Sequence, residues 1–317
     1  MRIYQVLIVL FLFFILGCDK EENRTVEEKE NTEEEGGENY YVSGYHPDTN
    51  APKTYKELTL VWNEEFDVDG LLDTSDWNFW MGKHGRRLQH YQDSNTTISD
   101  GVLIIEARRE TVENVLYDPG STNPENSQYA DYTSAQITTE GKHDFKFGRL
   151  EVRAKTPTQK GAWPAIWTMG VKDQWPANGE IDIFELYLKK GEPVILANFA
   201  WQSSAGEWIA SWDTYIDPLT KFTDADPDWV KKYHIWRMDW DENTISIYLD
   251  GILLNTINSD QANETTEFGE IKYPFLQKHY LLLNLAIGLN GGNPENTTFP
   301  LYYYIDYVRL YQYNKYQ

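Results

Sequence analysis

Glu180-Ile181-Asp182-Ile183-Phe184-Glu185 is the stretch on which the reading of this chain turns. Its isoleucines alternate with Glu180 and Asp182, and a period of two predicts a β-strand with the acids on one face and Ile181 and Ile183 on the other. Two neighbouring carboxylates on one face repel, which costs stability unless they share protons or bind something. Glu185 comes five positions after Glu180, so strict alternation sends it to the wrong face. A β-bulge at Ile183-Phe184 would add one residue relative to the neighbouring strand and turn Glu185 back. The expectation is three carboxyl groups in a row on the floor of a cleft.

Such a row suits glycosidic hydrolysis, in which a nucleophile and an acid/base carboxyl flank the scissile bond. The middle Asp182 would hold one glutamate in position and tune its charge, while repulsion raises the pKa of the other toward that of a useful acid. Metal binding competes, but no His accompanies the three and a flat row of carboxylates is a poor cage for zinc. The plain alternative is a strand with solvated acids on its outer face.

Outward from this strand, the chain from about Tyr55 to Tyr313 reads as short segments rich in β-branched and aromatic residues, separated by Gly, Asn, Asp and Pro. Leu58–Trp62, Val102–Ala107, Arg149–Ala154, Glu180–Leu186, Ile245–Leu249, Tyr280–Ile287 and Ile305–Tyr311 are strand candidates. Thr244 to Leu249 alternates polar with apolar, the sign of a sheet with one wet face, and Asp250-Gly251 after it is a hairpin signal. The best helix candidate is Asp226–Tyr233, with Pro227 suited to a first turn. The economical fold is all-β, a sandwich of two antiparallel sheets closed by the last strand, with no repeat and no second domain.

The formal net charge of −22 argues against nucleic acid or an anionic bilayer surface as a partner, since either calls for a basic patch. The 12 Trp and 22 Tyr exceed what a core needs and invite sugar-stacking surfaces. Residues 1–17 read as a signal peptide: Arg2, then an apolar run from Ile3 to Leu16 too short for a comfortable span. The run ends at Ile15-Leu16-Gly17-Cys18, which looks like a bacterial lipobox whose Cys18 carries lipid. Cys18 is the only cysteine, so no internal disulfide and no cysteine chemistry is available. Residues 18–54 are assigned to the lipidated Cys and a flexible linker, highly acidic as far as about Asn39, and 55–317 to the sandwich. The expected location is the outer membrane, on its periplasmic face or at the cell surface.

Trp175-Pro176 and Gly179 precede the acidic strand; Trp62-Asn63-Glu64-Glu65-Phe66-Asp67, Asp100-Gly101-Val102-Leu103, Phe147-Gly148-Arg149-Leu150-Glu151-Val152, Gly161-Ala162-Trp163-Pro164-Ala165-Ile166-Trp167 and Ile305-Asp306-Tyr307-Val308-Arg309 surround it in order. Together they resemble glycoside hydrolase family 16, in the version with the bulge residue, from about Leu58 to Tyr313. The resemblance implies a curved jelly roll, concanavalin A-like, with an open groove, and cleavage of internal β-glycosidic bonds with retention. It implies Glu180 as nucleophile, Glu185 as acid/base and Asp182 as the carboxylate assisting the nucleophile. It places Trp163, Trp167 and Trp175 in or near the groove, and Asn198 and Trp201 are further candidates for substrate contact, as are Trp208 and Trp212. Laminarin-cutting members usually carry a His on the strand after the acidic one, and this stretch has none. A structural calcium, held by Glu65, the carbonyl of Gly101 and Asp306, is a further implication, stabilising and not catalytic.

The leading expectation is therefore an endo-acting retaining glycosidase, monomeric, that cuts β-1,3 or β-1,4 bonds of a β-glucan or algal galactan without a catalytic cofactor. A carbohydrate-binding lipoprotein on the same sandwich and a transglycosylase are the alternatives.

Overall fold

The period-two segments become strands nearly residue for residue, with Val102–Ala107 at its expected bounds and the acidic segment lengthened to Glu180–Lys189. The computed structural model describes residues 44–263 and 272–317, which belong to the unit Asn39–Gln317. The signal peptide, Cys18 and the acidic stretch lie outside the described residues. Residues 44–54, counted with the linker on composition, are held on the sandwich. Gly44 pairs with Tyr233, the Asp48 amide donates to Asp306, and Arg309 donates to the Asn50 carbonyl at 3.2 Å.

Two antiparallel sheets make the body. One of eight strands runs Ile252–Asn258, Thr244–Leu249, His234–Trp240, Gly148–Lys155, Leu301–Tyr313, Val102–Ala107 and Thr96–Ser99, with Leu58–Glu64 also paired to Leu301–Tyr313. The other, of seven, runs Ala210–Pro218, Glu192–Gln202, Glu180–Lys189, Ala162–Gly170, His279–Ile287, Gln136–Thr138 and Asn78–Phe79. The acidic strand is thus central in its sheet, with Ala162–Gly170 on one side and Glu192–Gln202 on the other. Alternate side chains from both sheets meet in one core, in which Trp77, Trp236, Trp240, Ile181, Phe184 and Phe199 are sealed from solvent. Asp250 and Gly251 both take positive φ, 48° and 81°, the twist a two-residue hairpin turn demands.

The helix expected over Asp226–Tyr233 shrinks to a 3-10 turn at Trp229–Lys231, preceded by one α-turn at Thr220–Thr223. The buried Trp229 ring stacks on His234 at 4.0 Å, so core packing decides this segment and propensity does not.

Candidate active site

The bulge is where the register demanded it. Asp182 stands opposite Asn198 and Glu185 opposite Leu196, so Ile183 and Phe184 together face the single Ala197. On the other side Phe184 pairs with Ile166 and Asp182 with Trp167, which leaves Ile183 as the extra residue. Ile183 and Phe184 both turn into the core, where Phe184 packs on Trp236 at 4.1 Å. Burying each is worth about 1.5–3 kcal/mol, and strict alternation through this segment would expose Phe184 while burying Glu185. Hydrophobic burial therefore holds three carboxyls on one face.

Each carboxyl has a fixed donor. Trp175 Nε1 donates to Glu180 Oε2 at 2.6 Å, and Trp163 Nε1 donates to Glu185 Oε1 at 2.8 Å. Asn198, buried, sends Nδ2 to Asp182 Oδ2 at 3.0 Å and to Glu185 Oε2 at 2.9 Å. Burial in the floor, then mutual charge, pushes the acids up: Glu180 well above the usual range by burial and Asp182, and Asp182 likewise by burial and Glu185. Glu185 is raised to about 7 by burial, opposed chiefly by the Trp163 hydrogen bond and reinforced by the charge of Glu180. A carboxyl poised near neutrality can give up a proton and take one back.

The groove above the acids encloses about 530 Å³. Trp163, Trp167, Trp175 and Asn198 line it as expected, and Trp167 is anchored by Nε1 to Asn284 Oδ1 at 2.7 Å. Trp201 does not line it. That ring is buried in the core edge-on to Phe275 at 6.4 Å. Three residues separate Trp201 from Asn198 in a regular strand, so the two must face opposite ways. Trp212 takes the groove instead, half exposed, on the strand next to Ala200, which itself pairs with Glu180. Trp208 lies exposed in the preceding loop, while Trp77 is core.

The groove also contains Arg87, Tyr187, Lys189 and Asn290, which the sequence reading did not assign to it. Tyr187 and Lys189 follow Glu185 at period two, so placing the bulge already puts them on its face. Arg87 and Asn290 arrive from distant segments.

The calcium set does not come together as expected. Glu65 is engaged by Arg309, with Oε1 accepting from Nε at 2.9 Å and Oε2 from Nη2 at 2.7 Å. Asp306 accepts from Arg153 and from the Asp48 amide at 3.0 Å. Carboxylates already paired with guanidinium groups are not free to surround a hard cation, and among the described residues no cluster of three or more His, Cys, Asp or Glu could hold a metal.

Similarity to known proteins gives the family. The family model for glycosyl hydrolases family 16 matches residues 86–309, and the chain belongs to that family. The chain is 31% identical over 269 residues to the β-glucanase of Rhodothermus marinus, covering 80% of this chain and 85% of that one. It is also 31% identical over 280 residues to glucan endo-1,3-beta-glucosidase A1 of Niallia circulans, of which it spans only 38%. Among solved structures, one described with the endo-acting O-glycanases by which human gut bacteria initiate mucin breakdown superposes at a TM-score of 0.73. Its identity is 31%, over 84% of this chain and 95% of the other. This chain is a glycosidase that hydrolyses O-glycosyl bonds, an endo-acting β-glycoside hydrolase on polysaccharide.

Proposed function

We propose that the reaction is a retaining hydrolysis in which Glu180 is the nucleophile, Glu185 the acid/base and Asp182 the group that shares a proton with Glu180. In the first step a Glu180 oxygen bonds to the anomeric carbon, the bond to the leaving oxygen breaks, and Glu185 gives that oxygen its proton. In the second, Glu185 takes a proton from water, the water oxygen bonds to the anomeric carbon, and the ester to Glu180 breaks. Asn198, bonded to both Asp182 and Glu185, fixes the spacing of the helper and the acid. The observation that carries this reading is the bulge, which puts Glu185 on the face of Glu180 and Asp182 and leaves it poised near neutrality.

The polymer we infer is a β-glucan or a galactan with a chain long enough to lie across Trp175, Trp167 and Trp163. Similarity to both glucanases and a gut O-glycanase supports an open groove that accepts an internal bond. The reading takes the enzyme as a monomer. The lipobox reading supports tethering through Cys18 to the outer membrane, which mass spectrometry of the membrane-extracted protein would reveal as a lipid adduct on Cys18.

The test uses Glu180→Gln and Glu185→Gln in the soluble form lacking Met1 to Gly17, with Cys18 replaced, against a panel of β-glucans and galactans. Each change is expected to abolish release of oligosaccharides while circular dichroism stays unchanged. Cleavage surviving either change refutes the assignment.

A further inference from the structure

The chain has 50 acidic and 28 basic residues, yet outside the three catalytic carboxyls its groove is lined by two cations, Arg87 and Lys189, and by no further acid. Arg87 is the more telling. Among the described residues every other arginine that is not exposed is engaged. Arg108 meets Glu106, Arg149 and Arg237 meet Asp239, Arg153 meets Asp306, Arg309 meets Glu65, and Arg109 donates to the carbonyls of Pro294, Glu295 and Thr297. Arg87 has no carboxylate within ion-pair distance and no hydrogen-bond acceptor, and its Nε is sealed from water without a partner. What touches it is the Trp163 ring, whose centre lies 4.9 Å from the guanidinium carbon, and its charge acts at longer range on Glu180 and Glu185. Such a contact is worth about 0.5–2 kcal/mol, less than the desolvation of a charge left unpaired.

The position of this charge is specific. Trp163 presents its Nε1 to Glu185 and a face to Arg87, so the guanidinium borders the space over the acids beside Trp163. Lys189 lies four residues beyond Glu185 on the same strand, about 13 Å along extended backbone, with Tyr187 between them on the same face. Both cations border the same groove as the acids. A neutral sugar offers an unpaired guanidinium only hydroxyl acceptors, whereas an oxyanion accepts two parallel N–H bonds and neutralises the charge.

We propose that Arg87, with Lys189 elsewhere in the same groove, recognises an oxyanion substituent, a sulfate ester or a sugar carboxylate, on the units bound beside Trp163, so that the polymer is an anionic β-glycan. This rests on the glycosidase reading and narrows its substrate. Arg87 is a specificity residue, and the net negative charge of the chain keeps such a polymer away from the rest of its surface.

The experiment compares kcat/KM on matched glycans: a sulfated β-galactan with its desulfated form, and a carboxylated β-glycan with its carboxyl-reduced form. The unaltered enzyme is expected to prefer at least one charged form by about ten- to a hundredfold, the range of a charge-assisted hydrogen bond. Arg87→Met is expected to erase that preference and Arg87→Lys to keep part of it. The arm that responds identifies sulfate or carboxylate. Binding of the same pairs to Glu185→Gln, read by calorimetry, should show the same order without turnover. A wild-type enzyme indifferent to charge, or a preference that survives Arg87→Met, overturns the proposal. Equal loss on charged and neutral forms also overturns it, since Arg87 would then act through Glu185. Any of these leaves the glycosidase reading intact so long as Glu180→Gln still abolishes cleavage.

Discussion

Replacing Trp163 by Phe should move the alkaline limb of the pH profile upward, and the structure gives the size. The indole Nε1 donates to Glu185 at 2.8 Å, stabilises the ionised carboxylate and is the leading influence holding its pKa down against burial. A hydrogen bond to a charged group is worth about 1.5–3 kcal/mol, which at 1.36 kcal/mol per unit corresponds to roughly one to two pKa units. Groove water replaces part of the lost bond, so about one unit is the expected shift. The sign is fixed: without the donor the carboxylate is less stable, and Glu185 keeps its proton to higher pH. In the intact enzyme kcat/KM should fall as pH rises through about 7, because the protonated acid is then lost. In Trp163→Phe that limb should sit near 8, with a lower plateau because the acid is less well placed. The assay is reducing-end release at low substrate across pH 5 to 10, after checking that both proteins stay folded. An alkaline limb that does not move, or moves down, refutes the role given to Trp163.

Glu185→Gln should stabilise the protein at neutral pH. A carboxyl with a raised pKa in the folded state contributes stability that is fully present below the unfolded value of 4.5 and lost as pH rises through about 7. Discounted for partial exposure, the variant should gain about 1–2 kcal/mol at pH 8 and nothing near pH 4, read as the difference in Tm. Trp201→Ala should cost about 3–5 kcal/mol with little change in KM once folded, whereas Trp212→Ala should raise KM and leave Tm nearly unchanged. The reverse pattern would put Trp201 back in the groove. Deleting Ile183 should regularise the strand, leaving Phe184 opposite Ala197 and Glu185 opposite Leu196, so that measurable activity survives a loss of about 2–5 kcal/mol of stability. Inserting a residue between Phe184 and Glu185 should abolish activity by sending the acid into the core.

The parts of the site legible in the sequence are those set by period two on one strand. Glu180 and Asp182 follow from alternation, and Glu185 follows once the extra residue is read as a bulge. Tyr187 and Lys189 follow from the same parity. Trp201 shows the limit of reading composition without parity: a Trp-rich stretch invited a sugar-binding role, but its offset from Asn198 commits it to the core. Arg87 and Asn290 could not be placed in the groove from sequence, because the fold brings them there from more than 90 residues either side of the acidic strand. The partners of the calcium candidates were hidden for a related reason. Nothing local in Glu65 or Asp306 reveals that Arg309 and Arg153 pair with them across the eight-stranded sheet.

The central claim is that Glu180 forms a covalent bond to the sugar while Glu185 moves the protons. An aryl β-glycoside with a good leaving group needs no acid to form that bond, but Glu185→Gln lacks the base to break it, so the intermediate should accumulate. Peptide mass spectrometry of this variant after a brief incubation is expected to find one glycosyl unit on the peptide containing Glu180, with the ester at Glu180. A glycosyl ester on Asp182, or rapid release of aryl alcohol with no adduct on any carboxyl, would contradict the account.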